Sequence, residues 1–426
     1  MVADFLHPGH LNIINVAASL GEVTVGLLSD KAVATYKRLP FMTYEQRKTI
    51  VENIKGVSRV VPQPEKDYEP NVRKYKPDFV VHGTDWNQGP LKIERDRTVA
   101  ALAEWGGQIV EPEYTEGISS TQLNQHEKSL GIMPQQRISN FRRLVEVKRP
   151  VRAMEAYNGL SALVVDTAEH KEPYKPVLSF DAVWLSSLTE FTAKGKPPVD
   201  YVDISARMPT LNDVLDGTVK PIIYDDGSGF SPKQFSFTVR RLERMGVCAV
   251  VIGDRVDTGN LESEASSDRQ FALEDMESFC QKIHQGKTSQ MTRDFMVIAR
   301  VDSLTLGYGL DDALTRAKRY GETGADVIMV NSRRENGEDL LEFCARYAAF
   351  ENKKYLATAP THSPALSEDN LTAAGINIVI YADQLLRSAY TAMQDTATSI
   401  LRARCSCETD KGYISSGELA SLIEKS

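Results

Sequence analysis

Apolar and polar residues alternate along this chain in a rhythm that predicts an α/β protein. Short runs rich in Val, Ile and Leu are separated by longer stretches with helical spacing of apolar residues, as in residues 43–55, TYEQRKTIVENIK. The first pattern is typical of a buried strand and the second of an amphipathic helix. In the first part of the chain, four runs have strand character: residues 22–30, 57–62, 78–85 and 107–114.

Beyond about residue 142 the same alternation continues with more strands. Strands that are buried on both faces read as continuous apolar runs, and eight of them with intervening helices are what a (β/α)8 barrel requires. We therefore expect a smaller α/β domain at 1–130, a connecting segment at 131–141, a barrel at 142–402 and a tail at 403–426. The eight expected barrel strands are residues 160–166, 180–187, 220–226, 248–254, 295–302, 325–332, 354–360 and 376–383.

Composition narrows the class of protein without changing this architecture. The 426 residues exceed what one hydrophobic core usually organises, and 42% apolar with 25% charged residues is typical of a globular protein. A formal net charge of −8 argues against a nucleic-acid partner, because such proteins carry a clustered basic face. The chain start lacks the features of a secretory signal, and no apolar run reaches the roughly eighteen residues of a membrane span. We expect a cytoplasmic protein without a membrane partner.

Polar residues follow most of the predicted barrel strands, at the edge where the chemistry of such barrels is found. This ring favours a site for an anion and a metal ion. An equally good interpretation is that polar residues simply end the strands. The ring consists of Ser186 and Ser187, Asp225 and Asp226, Gly253 and Asp254, Arg300 and Asp302, Asn331 and Ser332, Thr361 and His362, and Asp383 and Gln384.

The stretch HPGH near the chain start places His7 and His10 around Gly9. Two imidazoles at a helix N-terminus can hold a triphosphate, and the glycine lets the backbone approach the phosphates. By itself this motif also fits two surface histidines in a turn. Three later stretches favour the functional interpretation: they supply Lys37, Arg38 and Arg47, then Asp85 and Trp86, then Ser119, Ser120 and Thr121.

In these motifs and in their order, residues 1 to about 128 resemble the cytidylyltransferase superfamily that includes the glycerol-3-phosphate and choline-phosphate enzymes. The resemblance implies a Rossmann-like nucleotidyltransferase domain that uses CTP as a substrate. It also implies that His7, Gly9 and His10 contact the CTP phosphates and that Lys37 and Arg47 stabilise the transferring phosphoryl group. Asp85 and Trp86 would bind near the base or ribose, and Ser119, Ser120 and Thr121 would close over the nucleotide.

Residues from about 140 to 402 resemble the phosphoenolpyruvate mutase and isocitrate lyase superfamily, through stretches such as AVWLSSLT, PIIYDDGSG and MVIARVDSL. The fused arrangement is similar to two-domain mutases of phosphonate biosynthesis. The resemblance implies a barrel that isomerises phosphoenolpyruvate to phosphonopyruvate with Mg²⁺, in homo-oligomers that exchange a C-terminal helix. The residues implied are Trp184, Ser186, Leu188 and Arg300 for substrate, Asp203 (or Asp200) for the phosphoryl group and Asp225 for the metal.

Several barrel positions depart from the family pattern. Gly227 stands where the family has a second metal-facing aspartate, so that carboxylate is either lost or moved to Asp226. Gly253 replaces a glutamate, and Arg255 replaces a lysine. Asn331 replaces a histidine, and Asp383 with Gln384 replaces an Asn-His pair. Each lost electrostatic contact costs about two to three orders of magnitude in rate, so we expect the mutase reaction to be lost.

The strand that should precede HPGH is reduced to MVADF, so we expect the first strand of the Rossmann-like domain to be truncated. Three functions stay open. The first is cytidylyl transfer from CTP to a small phosphonate or phosphate acceptor, and the second is an active mutase with an altered metal shell. The third is a catalytically silent paralogue that binds a ligand or a partner subunit.

Overall fold

The computed structural model describes residues 1–36, 38–87, 91–113, 132–172, 177–196, 204–258, 271–405 and 413–424. The chain forms two compact units. The first comprises Met1–Gly131 with Glu169–Leu178, and the second comprises Ile132–Ala168 with Ser179–Ser426. None of the helices that the structure describes is long and apolar enough to cross a membrane.

Helices and strands alternate in the first unit, and the four strands predicted there are confirmed. Capping explains where one of the helices begins: Thr43 Oγ1 accepts from the amide N–H of Gln46 over 3.3 Å, just before the third helix. The elements are α1 Pro8–Leu20, β1 Val23–Leu28, α2 Asp30–Ala34, α3 Tyr44–Glu52, β2 Val57–Gln63, α4 Glu69–Tyr75, β3 Phe79–Val81, α5 Leu91–Ala103 and β4 Gln108–Val110.

The four strands β1 to β4 form two separate parallel pairs, β1 with β2 and β3 with β4. Residues 1–7, which precede α1, form no strand. They still follow β1 for a short distance, since the Leu28 amide donates to the carbonyl of Met1 over 2.9 Å. Leu27 of β1 and Val51 of α3 are fully buried and form part of a small core between these elements.

The second unit contains most of the elements that follow residue 131. From there onward the elements of the chain are α6 Pro134–Val147, β5 Val151–Glu155, α7 Gly159–Thr167, β6 Glu169–His170, β7 Leu178–Ser179, β8 Ala182–Leu185, α8 Ser187–Ala193, α9 Ile204–Gly217, β9 Ile222–Asp225, α10 Pro232–Met245, β10 Ala249–Gly253, β11 Arg255–Asp257, β12 Phe271–Leu273, α11 Met276–Ser289, β13 Met296–Val301, α12 Leu310–Thr323, β14 Val327–Val330, α13 Glu338–Tyr347, β15 Tyr355–Thr358, α14 Glu368–Ala373, β16 Ile378–Tyr381, α15 Gln384–Ala403 and α16 Ser416–Glu424. Of these, β6 and the first residue of β7 lie in the first unit. Eight parallel strands of the second unit form a closed barrel in the order β10-β13-β14-β15-β16-β5-β8-β9, which confirms the predicted fold class.

Burial explains why most of the barrel strands could be predicted from apolar runs in the sequence. Every residue of β10 and β13 is buried, because barrel strands have side chains packed inside the barrel and helices packed outside it. Seven of the eight predicted barrel strands are confirmed within one or a few residues. Their carboxyl ends bring the polar ring to one edge of the barrel.

The predicted first barrel strand, residues 160–166, is wrong, because this run forms helix α7. Asn158 caps the helix by accepting from the Ser161 amide over 2.8 Å. The run looked uniformly apolar because Leu160 and Val164, four residues apart on the outer face of α7, are apolar although 51% and 44% exposed. The true first strand is β5, Val151–Glu155, in which Arg and Glu interrupt the apolar pattern.

Candidate functional site

The histidine pair lies at the start of α1, in the first unit. Pro8 is the first residue of α1, and the ring centroids of His7 and His10 are 4.0 Å apart. Burial lowers the pKa of His10 to about 4, with the neighbouring His7 adding to the effect, and burial also lowers the pKa of His7. Both imidazoles are therefore neutral near neutral pH. Each neutral imidazole can donate a hydrogen bond to a phosphate oxygen beside the helix N-terminus. Gly9 lies between the two histidines in the sequence.

Arg47, expected at the transferring phosphoryl group, has a fully buried side chain on α3. Its Nη2 donates to the Leu28 carbonyl over 2.9 Å and to Asp30 Oδ1 over 2.7 Å, and its Nη1 donates to the Val2 carbonyl. These bonds tie the first residues of the chain to the end of β1 and the start of α2. Because the side chain is fully buried and bonded to groups of its own chain, Arg47 has a supporting position in this structure rather than an open one.

Trp86, expected near the base or ribose, ends a short 3-10 turn, Thr84–Trp86, that follows β3. The side chain is fully buried, and its indole Nε1 donates to Glu111 Oε1 over 2.6 Å. His82 stacks on it, with ring centroids 4.0 Å apart. Trp86 therefore positions the turn that carries Asp85 and presents no open face to a nucleotide in this arrangement.

Glu111 is the residue of this cluster that sequence reasoning missed. Arg95 binds its carboxylate with two bonds of 2.8 and 2.9 Å, and this pairing lowers the pKa of Glu111. Glu111 lies 25 residues from Trp86, so no local pattern could have linked them. Other expected residues of the first unit, Lys37 and the run Ser119, Ser120 and Thr121, lie outside the described residues.

Asp225 and Arg300 meet at the carboxyl edge of the barrel, which we call the barrel mouth. Asp225 is the last residue of β9, and its Oδ1 lies 3.4 Å from Arg300 Nη1 and 3.1 Å from the Gly227 amide. Arg300 Nε also donates to Asp302 Oδ2 over 3.0 Å. The expected substrate clamp is therefore already engaged with two carboxylates of its own chain.

A second buried network supports the backbone of Asp225. Arg207 of α9 is 2% exposed, and its Nη1 donates to the Asp225 carbonyl over 2.6 Å. Its Nε donates to Glu190 Oε2 over 2.7 Å, and its guanidinium lies 4.0 Å from the centroid of the Tyr224 ring. Sequence reasoning did not single out Arg207, because its partners are 17 and 18 residues away.

The remaining expected substrate residues lie on β8 and at the start of α8. Trp184 pairs in register with Glu155 of β5, so both side chains project from the same face of the barrel wall. Trp184 is 3% exposed, and its Nε1 finds no hydrogen-bond partner in the part of the chain that the structure describes. Ser186 is buried and Leu188 is 50% exposed. Asp203 and Asp200 lie outside the described residues.

The Mg²⁺ expected at Asp225 does not fit these residues as they are placed. Mg²⁺ in proteins binds through one or two carboxylates and keeps several waters. The one carboxylate predicted as a ligand faces the Arg300 guanidinium, whose charge opposes a divalent cation.

Two family models match the chain. That of phosphoenolpyruvate phosphomutase matches residues 141–401, and a cytidylyltransferase-like model matches residues 2–126. The phosphoenolpyruvate phosphomutase of Tetrahymena pyriformis is 27% identical over 269 residues, which are 62% of this chain and 85% of that protein.

Two further relatives are each similar to part of the chain. The ethanolamine-phosphate cytidylyltransferase of Arabidopsis thaliana is 31% identical over 126 residues, 28% of this chain and 29% of that protein. A solved structure of phosphonopyruvate hydrolase, in complex with oxalate and Mg²⁺, superposes with a TM-score of 0.58 at 26% identity. That similarity covers 68% of this chain and 95% of the solved one.

Proposed function

This chain belongs to the phosphoenolpyruvate phosphomutase family, and from that premise we propose that its first unit transfers a cytidylyl group from CTP to a small phosphonate or phosphate acceptor. The observation that carries this proposal is the pair of neutral imidazoles of His7 and His10, 4.0 Å apart beside the N-terminus of α1. The cytidylyltransferase-like match over residues 2–126 supports it.

In the proposed reaction an acceptor oxygen attacks the α-phosphorus of CTP. A new phosphorus–oxygen bond forms, the bond to the β-phosphate bridging oxygen breaks, and pyrophosphate leaves. His7 and His10 donate hydrogen bonds to the phosphate oxygens, where negative charge increases. Gly9 admits the phosphates close to the backbone, and Lys37 neutralises them.

The other residues of the first unit have supporting roles in the same proposal. Arg47 holds the segment before HPGH through its bonds to Val2 and Leu28. Asp85 binds near the base or ribose, and Trp86 fixes the turn that presents it. The run Ser119, Ser120 and Thr121 closes over the nucleotide.

For the barrel we propose that isomerisation of phosphoenolpyruvate to phosphonopyruvate has been lost. Asp225 and Asp302 both pair with Arg300. The carboxylates that would bind a metal ion are therefore neutralised by the guanidinium, and the guanidinium that would bind an anionic substrate is neutralised by the carboxylates. The alternative of an active mutase would require Asp225 and Arg300 to separate when substrate binds.

We also propose that the chain forms a homo-oligomer through α15. None of the twenty residues of this helix is buried, and Tyr390, Met393 and Leu401 are 62%, 61% and 78% exposed. Apolar residues at helical spacing on one exposed face favour burial against a second copy.

The test of cytidylyl transfer measures pyrophosphate release from CTP with a panel of acceptors, including 2-aminoethylphosphonate and 2-hydroxyethylphosphonate. We expect release with at least one acceptor and a loss of about a hundredfold or more in His10→Ala, because one such electrostatic contact is worth that much in rate. His284→Ala, at an exposed position of α11, is the matched control and should leave the rate unchanged.

Absence of pyrophosphate with every acceptor, or equal rates in the His10→Ala and native proteins, would falsify the proposal. Phosphorus NMR tests the barrel separately. Incubation with phosphoenolpyruvate or with phosphonopyruvate should leave either compound unconverted, whereas conversion would favour the active mutase.

A further inference from the structure

The guanidinium of Arg300 lies at the barrel mouth, over a glycine of the neighbouring strand. Arg300 of β13 pairs in register with Gly253 of β10. A Cβ atom at position 253 would lie 2.3 Å from Arg300 Nη2 and 2.8 Å from its Cζ, so the guanidinium rests directly on the glycine. Any side chain at 253 would have to displace it.

Lying over Gly253, the guanidinium reaches carboxylates on both sides. Nη1 is 3.4 Å from Asp225 Oδ1, and Nε is 3.0 Å from Asp302 Oδ2. The side chains of Arg300, Asp225 and Asp302 are 8%, 9% and 4% exposed, so water screens these charges weakly. Opposite charges held this close in a poorly hydrated site stabilise one another strongly.

A divalent cation would need the same carboxylate oxygens. Asp225 Oδ1 already accepts hydrogen bonds from Arg300 and from the Gly227 amide. An incoming ion would also be repelled by the positive charge of the Arg300 guanidinium. Cation binding therefore requires breaking the existing pairs first.

We propose that the Arg300 guanidinium takes the place of a divalent metal ion at the barrel mouth, so that this barrel is built around a cation of its own chain and does not bind Mg²⁺ there. Gly253 and Asp302 position the guanidinium, and Asp225 is its counter-ion. This inference concerns the barrel alone. It is independent of cytidylyl transfer in the first unit, whose assay detects pyrophosphate.

The test uses Mn²⁺ as the probe, titrated into the full chain without nucleotide and followed by calorimetry and by the EPR signal of free Mn²⁺. Replacing Arg300 with methionine keeps much of the side-chain volume and leaves Asp225 and Asp302 without their cation. We expect Arg300→Met to gain one site with at least tenfold tighter Mn²⁺ binding than the native chain. The site should disappear again in the double variant Arg300→Met/Asp225→Asn.

Two further variants separate the effect of the Arg300 guanidinium from loss of charge elsewhere and from misfolding. Arg346→Met removes the same charge from an exposed pair with Asp311 and should gain no site. Gly253→Ala retains every charge but pushes the guanidinium aside, so it should raise Mn²⁺ affinity even if Arg300→Met does not fold.

The proposal fails if the native chain binds one Mn²⁺ whose binding is lost in Asp225→Asn, because Arg300 would then yield to the ion. It also fails if folded Arg300→Met and Gly253→Ala both bind Mn²⁺ no better than the native chain. Neither Mn²⁺ result affects whether the first unit releases pyrophosphate. Failure of this proposal therefore does not contradict the cytidylyl-transfer proposal, which is tested by the pyrophosphate assay.

Discussion

Glu155 shows how a single buried carboxyl group is tuned at the barrel mouth. It is the last residue of β5 and fully buried, and its Oε1 accepts from the Leu386 amide in the first turn of α15 over 2.8 Å. Burial raises the pKa of Glu155 to about 7, and the nearby Asp383 adds to the effect, although the bond from Leu386 opposes it. The neutral form is thus favoured by the folded chain.

The raised pKa predicts that Glu155 weakens the fold as pH rises. Between an ordinary value of 4.5 and about 7, the folded state binds the proton more tightly than the unfolded state, so stability falls across this window and stays low above it. Glu155→Gln mimics the neutral form and should raise stability by up to about 3 kcal/mol above the window. Below pH 4.5 it should have little effect.

Thermal melting at acid and alkaline pH checks this prediction, with Glu342→Gln at an exposed position of α13 as the control. A Glu155→Gln shift that is equal at both pH values would contradict the titration argument.

Arg47 and Arg300 show that the partner of a charged residue depends on the tertiary structure. Both were identified from the sequence as residues that handle an anion, and both are bonded in the structure to carboxylates of their own chain, Asp30 for Arg47 and Asp225 with Asp302 for Arg300. The sequence shows that an arginine is present, but not which carboxylate lies beside it. That depends on how the surrounding strands and helices pack.

At the scale of elements, helix α7 shows that apolar residues on an exposed helix face can make a helix resemble a buried strand in the sequence. Its apolar run predicted a strand, yet the capping pair at its start was a usable signal. Asn158 accepts from the Ser161 amide, and the Ser161 hydroxyl accepts from the Asn158 amide over 3.0 Å. This reciprocal cap satisfies backbone donors that a helix start leaves open.

Removing the cap should weaken the barrel by a defined amount. Asn158→Ala should cost about 1 kcal/mol, since losing an N-cap acceptor leaves a helix amide unpaired. For a unit of this size that corresponds to a fall in melting temperature of roughly 2 °C. Asn158→Asp retains an acceptor and is the matched control. Equal melting of the alanine variant and the native chain would show that the cap does not stabilise α7.

At the scale of the whole molecule, the exposed face of α15 leads to a prediction about assembly. Tyr390, Met393 and Leu401 stay largely exposed in the single chain, and a second copy covering them would bury apolar surface. We expect light scattering of the native protein to give a multiple of the 47.4 kDa chain mass. Met393→Glu together with Leu401→Glu should shift it to the single-chain mass, because charges are costly to bury.

Met291→Glu places the same charge at a 53% exposed apolar position that precedes β13, and it should leave the assembly unchanged. A native protein with the single-chain mass would refute the homo-oligomer, and so would a multimer that survives both changes on α15.

The sequence by itself determined the architecture of this protein: an α/β domain followed by a barrel, with the two family resemblances that accompany them. Local periodicity carries that information, because a strand buried on both faces must be apolar throughout, as β13 is. Only the tertiary structure decided what the charged residues do. Arg300 and Asp225 are 75 residues apart, and they meet because β10, the strand between theirs, carries glycine at position 253. Charge pairing depends on strand order and side-chain space, which arise when the barrel closes and leave no periodic pattern in the chain.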